Sequence, residues 1–271
     1  MLKEQLYEII RHDYALPKGL DEFEAVQQVI GVLGSTDAEV RDELGYRILA
    51  NWLLRKNFLT GSQLSILLEQ AISDDMLFFK IGEAESDHVF KRTFSSLLIA
   101  LILIRDNREE FLNEAAFFQA LERINLYCRL EKDYRSYVEG KGWAHGPAHI
   151  SDAIDECVRH RFTGLDECSK LWEGLLHLID GAPHVYDAEE DERITIPIIA
   201  MVESGKVPFS TLCGWLERIE LPAENDLISM TRRINIKHFI RCLTFGLLAK
   251  GLGKVEDLMI IERKFNPFVA S

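Results

Sequence analysis

The sequence has few cysteines, and no two of them form a motif. The five cysteines, at positions 128, 157, 168, 213 and 242, are scattered and odd in number, and none belongs to a CxxC pair. Four of them lie in apolar helical patterns, where cysteine behaves as a small hydrophobic residue. The pattern therefore predicts neither a disulfide framework nor a zinc knuckle, and it favours a reducing compartment.

Long apolar runs are also missing. The longest stretch without a polar residue is Leu97–Ile104, eight residues, whereas a helix that spans a bilayer needs about 20. The first 13 residues, MLKEQLYEIIRHD, carry charges throughout and contain no apolar signal core. We therefore expect a cytoplasmic protein with no membrane partner.

Basic residues are in the minority. The chain has 31 Lys and Arg against 44 Asp and Glu, a net charge of −13. A protein this acidic repels a phosphate backbone unless basic residues are concentrated in one place, and no such patch is apparent. The composition argues against a nucleic-acid partner and favours an unidentified protein or small-molecule ligand.

Glycine and proline are sparse, at 17 and 7 residues, which favours long helices joined by short turns. Apolar residues recur at helical spacing, as in the predicted helix 37–56. Further helices are expected at about 60–71, 87–105, 110–130, 147–161, 165–179, 187–203, 207–219, 225–250 and 255–264. Asp87 is a candidate cap for the helix predicted at 87–105, and residues 180–183 predict a turn.

These helices predict an all-α fold. About a dozen helices with short connections suggest antiparallel pairs stacked as an irregular α/α solenoid of the HEAT or armadillo type. No repeat of fixed period is apparent. Residues 1–271 are expected to form one domain, with a possible seam in the glycine-containing loop 131–146.

The polar residues of this loop and of the helix after it form the densest cluster in the chain. The chain has no GxSxG, GxGxxG or P-loop motif. An α-helix turns by about 100° per residue, so His145, His149 and Asp152 share one helix face. Pro147 suits the first turn of that helix and indicates that His145 lies at its start.

Three interpretations of this cluster are open. The histidines at i and i+4 with Asp152 resemble a metal site, which Glu131 or Asp133 would complete, but the Glu of HExxH is missing. A helix amino terminus, glycine-flanked backbone and Arg135 also suit a carboxylate or phosphate. The third interpretation is structural: the charged residues tie the loop to helix ends, Trp143 fills a pocket and His149 makes one buried hydrogen bond.

Arg92 precedes the apolar half of its helix, so it lies near the core and needs an acidic partner. An internal ion pair is one interpretation of this residue. The alternative is that Arg92 lines the same groove as Arg135.

Several blocks of the sequence resemble a bacterial family known as domain of unknown function 2785. The resemblance covers residues 37–46, 82–97, 131–149 and 190–193 in the expected order, and the block Gly-Trp-Ala-His…Ala-His at 142–149 is the most distinctive. Ser136 stands where the family usually has Gly, and Gly146-Pro147 stand where it usually has small or aliphatic residues. The resemblance implies an all-helical protein and no particular activity.

We therefore expect a protein of unknown function that acts as a non-enzymatic helical binding or scaffolding module. Its concave face would bind a peptide or a small anionic ligand without a cofactor or metal. The alternative is a metal-dependent or His/carboxylate hydrolase centred on His145, His149 and Asp152, and a weaker one is an oligomer formed through an apolar helix near the carboxyl terminus. The predicted ligand-binding residues are Arg92, Glu131, Asp133, Arg135, Trp143, His145, His149 and Asp152.

Overall fold

The computed structural model of the chain describes residues 1–221, 224 and 226–269. This part is mostly helical, which confirms the all-α class. Its α-helices are α1 Lys3–Arg11, α2 Glu22–Ile30, α3 Arg47–Asn51, α4 Gly61–Ala71, α5 His88–Glu109, α6 Glu114–Leu130, α7 Gly146–Arg159, α8 Leu165–Gly181, α9 Glu190–Glu203, α10 Phe209–Glu217, α11 Leu227–Ala249 and α12 Val255–Phe265.

The helix predicted at 37–56 is present, but two of its segments are underwound to π-helix. The α-helix α3 continues the π-helical segment Glu39–Tyr46 and is followed by a second one, Trp52–Lys56. Asp37 starts this helix, because its Oδ1 accepts hydrogen bonds from the backbone N–H groups of Glu39 (3.0 Å) and Val40 (3.3 Å).

A side-chain cap accepts a backbone hydrogen bond at the start of four described α-helices, α2, α4, α6 and α11. Thr60 caps α4 by accepting from Gln63 N at 3.3 Å. Asp87 occupies the cap position before α5, as predicted, but its side chain makes no capping bond and its carboxylate binds Lys141 Nζ at 2.7 Å. The predicted turn at 180–183 is also displaced, because α8 runs on to Gly181.

Helix α5 is the centre of the packing. Its residues 97–103 are all buried, as expected for a helix that is apolar on every side. It packs on α4 and α7, α7 packs on α9, and α9 packs on α11, while α6 packs on α8. One cluster of buried hydrophobic side chains extends from Leu6 in α1 to Phe265 in α12. No helix within the described residues combines the length and the apolar character that crossing a bilayer requires.

The loop between α6 and α7 contains a small hairpin that the sequence analysis missed. Strand β1 (Tyr137–Val138) pairs antiparallel with β2 (Gly142–Trp143), and Tyr137 lies opposite Trp143. Gly142 has φ +79°, and a Cβ there would lie 2.7 Å from Ala38 Cβ. This position therefore requires glycine for both its backbone conformation and its space.

Candidate functional site

The start of the loop is held by a buried ion pair between α5 and the end of α6. Arg92 Nε and Nη2 each donate to the Glu131 carboxylate at 2.7 Å, and both side chains are fully buried. Arg92 also donates to the carbonyl oxygens of Phe79, Lys80 and Glu83. Glu131 Oε1 further accepts from the backbone N–H groups of the next two residues at 2.9 Å. This bidentate geometry gives the internal ion pair that was one interpretation of Arg92.

A second ion pair fixes the next turn of the loop. Arg135 donates through Nε and Nη2 to the Asp133 carboxylate at 2.8 and 2.6 Å. Asp133 also accepts from the backbone N–H of Ser86, and Arg135 donates to the Ser86 carbonyl. The hydrogen bond from Arg135 compensates the charge of a carboxylate that is buried. Both residues therefore join the loop to the segment just before α5.

Arg41 binds the backbone of the hairpin from its buried side. Its guanidinium donates to the carbonyl oxygens of Lys141 (2.7 Å) and Trp143 (3.1 Å), and its side chain is fully buried. It lies over the rings of Phe90 and Phe94, at 4.0 and 4.9 Å from their centroids. Burial lowers the pKa of Arg41 to about 10. Arg41 therefore stays charged at neutral pH. Its hydrogen bonds to the two carbonyl oxygens orient the backbone of β2.

His145 ends the hairpin and joins it to α9. It has φ +51°, and its Nε2 donates to the Ala188 carbonyl at 2.8 Å and lies 3.4 Å from Glu190 Oε1. The same Glu190 oxygen accepts from the Ser136 hydroxyl. Burial alone raises the pKa of Glu190, but the hydrogen bonds from His145, Ser136 and the backbone hold it at about 2. The histidine is therefore tied to internal acceptors through one ring nitrogen.

His149 lies one turn further along α7. It is 9% exposed, its ring packs edge-on against Phe94 (centroids 5.3 Å apart), and the His145 ring is 5.7 Å away. Burial, followed by the nearby charges of His145, Arg193 and Arg41, lowers its pKa well below the usual value. His149 is therefore neutral at physiological pH, and its Nδ1 has no partner among the described residues.

Asp152, three residues further on, is paired with a residue of α9. Arg193 Nη2 lies 2.6 Å from Asp152 Oδ1 and 2.5 Å from Oδ2, and both side chains are about one-third exposed. Burial raises the pKa of Asp152 despite the opposing effect of Arg193. The ion pair stands at the surface where α7 and α9 meet.

The hairpin presents two aromatic side chains to solvent. Trp143 is 41% exposed and Tyr137 is 61% exposed, and their rings meet edge to face with centroids 5.2 Å apart. Trp143 also stacks on His145, with centroids 5.1 Å apart and an interplanar angle of 29°. The expectation that Trp143 fills an interior pocket is therefore wrong.

The eight predicted residues lie in one region, but they do not line one open groove. Arg92, Glu131 and Asp133 are buried and bonded to internal partners. His145 and His149 follow Trp143 from the surface towards the core. We name the outward part of this region, Tyr137, Trp143, Asp152 and Arg193, the hairpin face.

The histidines and Asp152 do not form a metal-ligand set. Within the part of the chain that the structure describes, no three His, Cys, Asp or Glu side chains are grouped so as to hold a metal ion. The Asp152 carboxylate is bound by Arg193 instead. The guanidinium of Arg193 already compensates the charge of this carboxylate, which weakens its attraction for a cation.

Sequence reasoning missed three residues that shape the region. Arg41 is 102 residues away from Trp143, whose carbonyl it binds, so no local spacing indicates it. Arg193 and Glu190 lie in the first turn of α9, in a mostly acidic block. The Glu190-Asp191-Glu192-Arg193 block of the resemblance was the one signal that pointed to them.

Comparison with known proteins gives a family and no function. No curated protein and no solved structure matches this chain. The family described as Protein of unknown function (DUF2785) matches residues 77–245, which include the hairpin and helices α5 to α10. Because this match covers more than half of the sequence, the chain belongs to that family.

Proposed function

We propose that this chain is a non-enzymatic binding or scaffolding protein that takes a peptide or a small anionic ligand on the hairpin face. The observation that carries this proposal is the exposed aromatic pair, Tyr137 and Trp143, together with the Asp152–Arg193 ion pair, which is about one-third exposed. Aromatic side chains offer a large rigid contact area at low cost in conformational entropy, and they are enriched at binding surfaces.

The internal contacts of the other polar residues support binding rather than chemistry. Each carboxylate near the histidines already accepts hydrogen bonds: Glu190 from Ser136 and Asp152 from Arg193. His145 uses its Nε2 for a backbone carbonyl. A general base needs a free nitrogen or oxygen within reach of a substrate proton, and the unpartnered Nδ1 of His149 is buried away from the surface. The outward groups that remain are an aromatic surface and the free N–H groups of Arg193, which suit a carboxylate.

We also propose that residues 1–271 form a single irregular α/α solenoid of HEAT or armadillo type. The sequential packing of α5 on α7, α7 on α9 and α9 on α11, together with that of α6 on α8, supports two rows of alternating helices. The hairpin of the 131–146 loop would then project from the row that contains α5, α7 and α9. The net charge of −13 supports a protein or small-molecule partner over nucleic acid.

Trp143 supplies a direct test. The other three tryptophans, Trp52, Trp172 and Trp215, are at most 7% exposed, so acrylamide quenching of tryptophan emission reports chiefly on Trp143. We would screen a peptide library and a set of small carboxylates and phosphates for protection of this emission. A ligand of the hairpin face should protect Trp143 emission from quenching in the wild type, and it should neither bind nor give protection in Arg193→Gln. It should still bind the control variant Leu165→Ala, which removes an exposed apolar side chain elsewhere.

Stability measurements separate a binding role from a structural one. Because Tyr137 and Trp143 are exposed, replacing both with alanine should lower the free energy of unfolding by about 1 kcal/mol or less. If this double variant loses as much stability as a core truncation, about 3 kcal/mol or more, and no probe protects Trp143, the aromatic pair is structural and the proposal is rejected.

A further inference from the structure

Helix α11 has an apolar side that its neighbours leave uncovered. The helix packs on α8, α9 and α12, yet several of its large apolar side chains stay in solvent. Four of them are between 44% and 72% exposed: Leu227, Met230, Phe245 and Leu248. Exposed apolar patches on a monomer are often functional. This side of α11 is therefore a candidate for the oligomer contact that the sequence indicates near the carboxyl terminus.

The exposed side chains follow the spacing of a helix–helix seam. Seven residues, none of them buried, succeed one another along α11 at intervals of three or four: Leu227, Met230, Ile234, His238, Arg241, Phe245 and Leu248. Six intervals cover 21 positions, which is a mean spacing of 3.5 residues. This is the period at which a stripe of side chains stays in contact with a second helix. At about 100° per residue, all seven lie within about 80° of one another around the helix axis. We name these seven residues the α11 stripe.

The distribution of charge favours this side of the molecule for contact between two copies. Each chain has a net charge of −13, so two copies repel one another in general. Residues 227–254 contain no Asp or Glu, so repulsion between carboxylates is smallest here. Within the α11 stripe, Arg241 is paired with the Glu262 carboxylate of α12, at 2.8 Å from Nε and 2.7 Å from Nη2. The stripe therefore offers apolar contact without an uncompensated guanidinium.

The α11 stripe is complementary to itself when two copies run antiparallel. A two-fold axis near the middle of α11 places the end 227–230 of one copy on the end 245–248 of the other, so apolar side chains meet at both ends. Arg241 then faces Ile234, whose side chain its methylene groups cover. In a parallel pair the two Arg241 side chains would instead face each other and repel. The charge of Arg241 therefore favours the antiparallel arrangement.

We propose that two copies of this chain associate through the α11 stripe, antiparallel and with two-fold symmetry. The four exposed apolar side chains amount to roughly 450 Å² per copy, on areas of about 150–250 Å² for each large side chain. Interfaces are about 56–58% nonpolar, so this area corresponds to roughly 800 Å² per partner, the size of a standard specific complex. The net charge of −13 disfavours an anionic lipid surface, the other common occupant of an amphipathic helix. The stripe shares no residue with the hairpin face and does not depend on the function proposed for it.

Two equally exposed side chains of α11 supply the test. Phe245 lies in the α11 stripe and is 72% exposed, whereas Ile228 is 71% exposed and points about 100° away from its neighbour Leu227. Sedimentation equilibrium at micromolar to submillimolar concentrations measures the dissociation constant of the dimer. We expect a concentration-dependent dimer for the wild type and for Ile228→Glu. Phe245→Glu should weaken the dimer about tenfold or more, because it places two carboxylates in each interface.

Leu248→Glu repeats the test at a second position of the α11 stripe and should also weaken the dimer. Both side chains are exposed in one copy, so neither substitution should change the thermal unfolding of the dilute, monomeric protein. The proposal is overturned if the wild type is monomeric at every concentration, or if Phe245→Glu and Ile228→Glu associate equally well. A monomeric wild type that binds anionic vesicles would assign the stripe to a lipid surface instead.

Cross-linking tests the orientation of the two copies. Met230→Cys and Phe245→Cys are made in a Cys213→Ser/Cys242→Ser background, which removes the two cysteines that are partly exposed. A short bismaleimide is then added to each variant alone and to their mixture. Linkage in the mixture and not in either variant alone supports the antiparallel pair, whereas linkage of each variant to itself contradicts it.

Discussion

Breaking the Arg92–Glu131 ion pair should be among the most damaging single changes in the chain. Arg92→Met removes two charge-assisted hydrogen bonds and leaves the fully buried carboxylate of Glu131 with its charge uncompensated. It also leaves three backbone carbonyls, of residues 79, 80 and 83, without this donor. Removing one partner of a buried pair costs about 3–5 kcal/mol, a large share of the roughly 5–15 kcal/mol that stabilises a domain.

A double-mutant cycle separates the ion pair from the other bonds. Glu131→Gln keeps an acceptor for the backbone N–H groups of Lys132 and Asp133 but removes the charge, so it should cost about 3 kcal/mol. Arg92→Met/Glu131→Gln buries no uncompensated charge. It should therefore lose about 2 kcal/mol less than the sum of the two single variants.

Urea unfolding followed by circular dichroism measures all four free energies, provided that the transitions are two-state. Arg123→Met is a suitable control, because its partner Asp74 is largely exposed and the pair contributes little. A loss under 1 kcal/mol for Arg92→Met, or strict additivity in the double variant, would refute the assignment of Arg92–Glu131 as the anchor of the loop.

Three further predictions follow from other buried groups. The pKa of His149 is lower in the folded chain than in the unfolded chain. Below pH about 6.5 the unfolded chain therefore binds more protons at this residue than the folded chain does. Acidification should then lower the free energy of unfolding by up to about 1.4 kcal/mol per pH unit. Urea unfolding from pH 7 to 5 should show a shallower fall for His149→Phe, and parallel curves would contradict the buried neutral imidazole. Asp106→Asn replaces a buried carboxylate that His160 Nε2 contacts at 2.6 Å, and it should cost about 3 kcal/mol in the same assay; a cost near zero would show that the charge is dispensable. Gly142→Ala would place a Cβ 2.7 Å from Ala38 Cβ on a backbone with positive φ. We therefore expect the free energy of unfolding to fall by about 2 kcal/mol and acrylamide quenching of Trp143 to increase. Wild-type values for both would show that the hairpin adapts to the added side chain.

The helices could be predicted because their apolar spacing is a local property. The stretch 97–103 in α5 lacks polar residues on any side, which indicates a central helix, and these residues are all buried. The hairpin could not be predicted in this way. Its strands are two residues long, too short for an alternating pattern, and depend on Arg41 from a distant segment.

The sequence predicted which residues of the candidate site lie close together, but not which of them bind one another. Sequence spacing put His145, His149 and Asp152 on one side of α7, and the ring contacts agree. It could not show that Asp152 binds Arg193, because that contact joins residues 41 positions apart. The same limit applies to Arg92 and Glu131, which composition allowed either in a groove or in an internal pair.

The internal ion pairs fix the geometry of the hairpin face. Arg92–Glu131 holds the loop to α5, Arg135–Asp133 holds it to the segment before α5, and His145 holds it to α9. Buried ion pairs add little net stability compared with apolar packing, but they fix one geometry. Here that geometry turns the ring of Trp143 outward beside Tyr137. A loop that only connected α6 to α7 would need neither this set of buried charges nor exposed aromatic side chains. Their combination supports the proposal that the hairpin face is a preorganised binding surface.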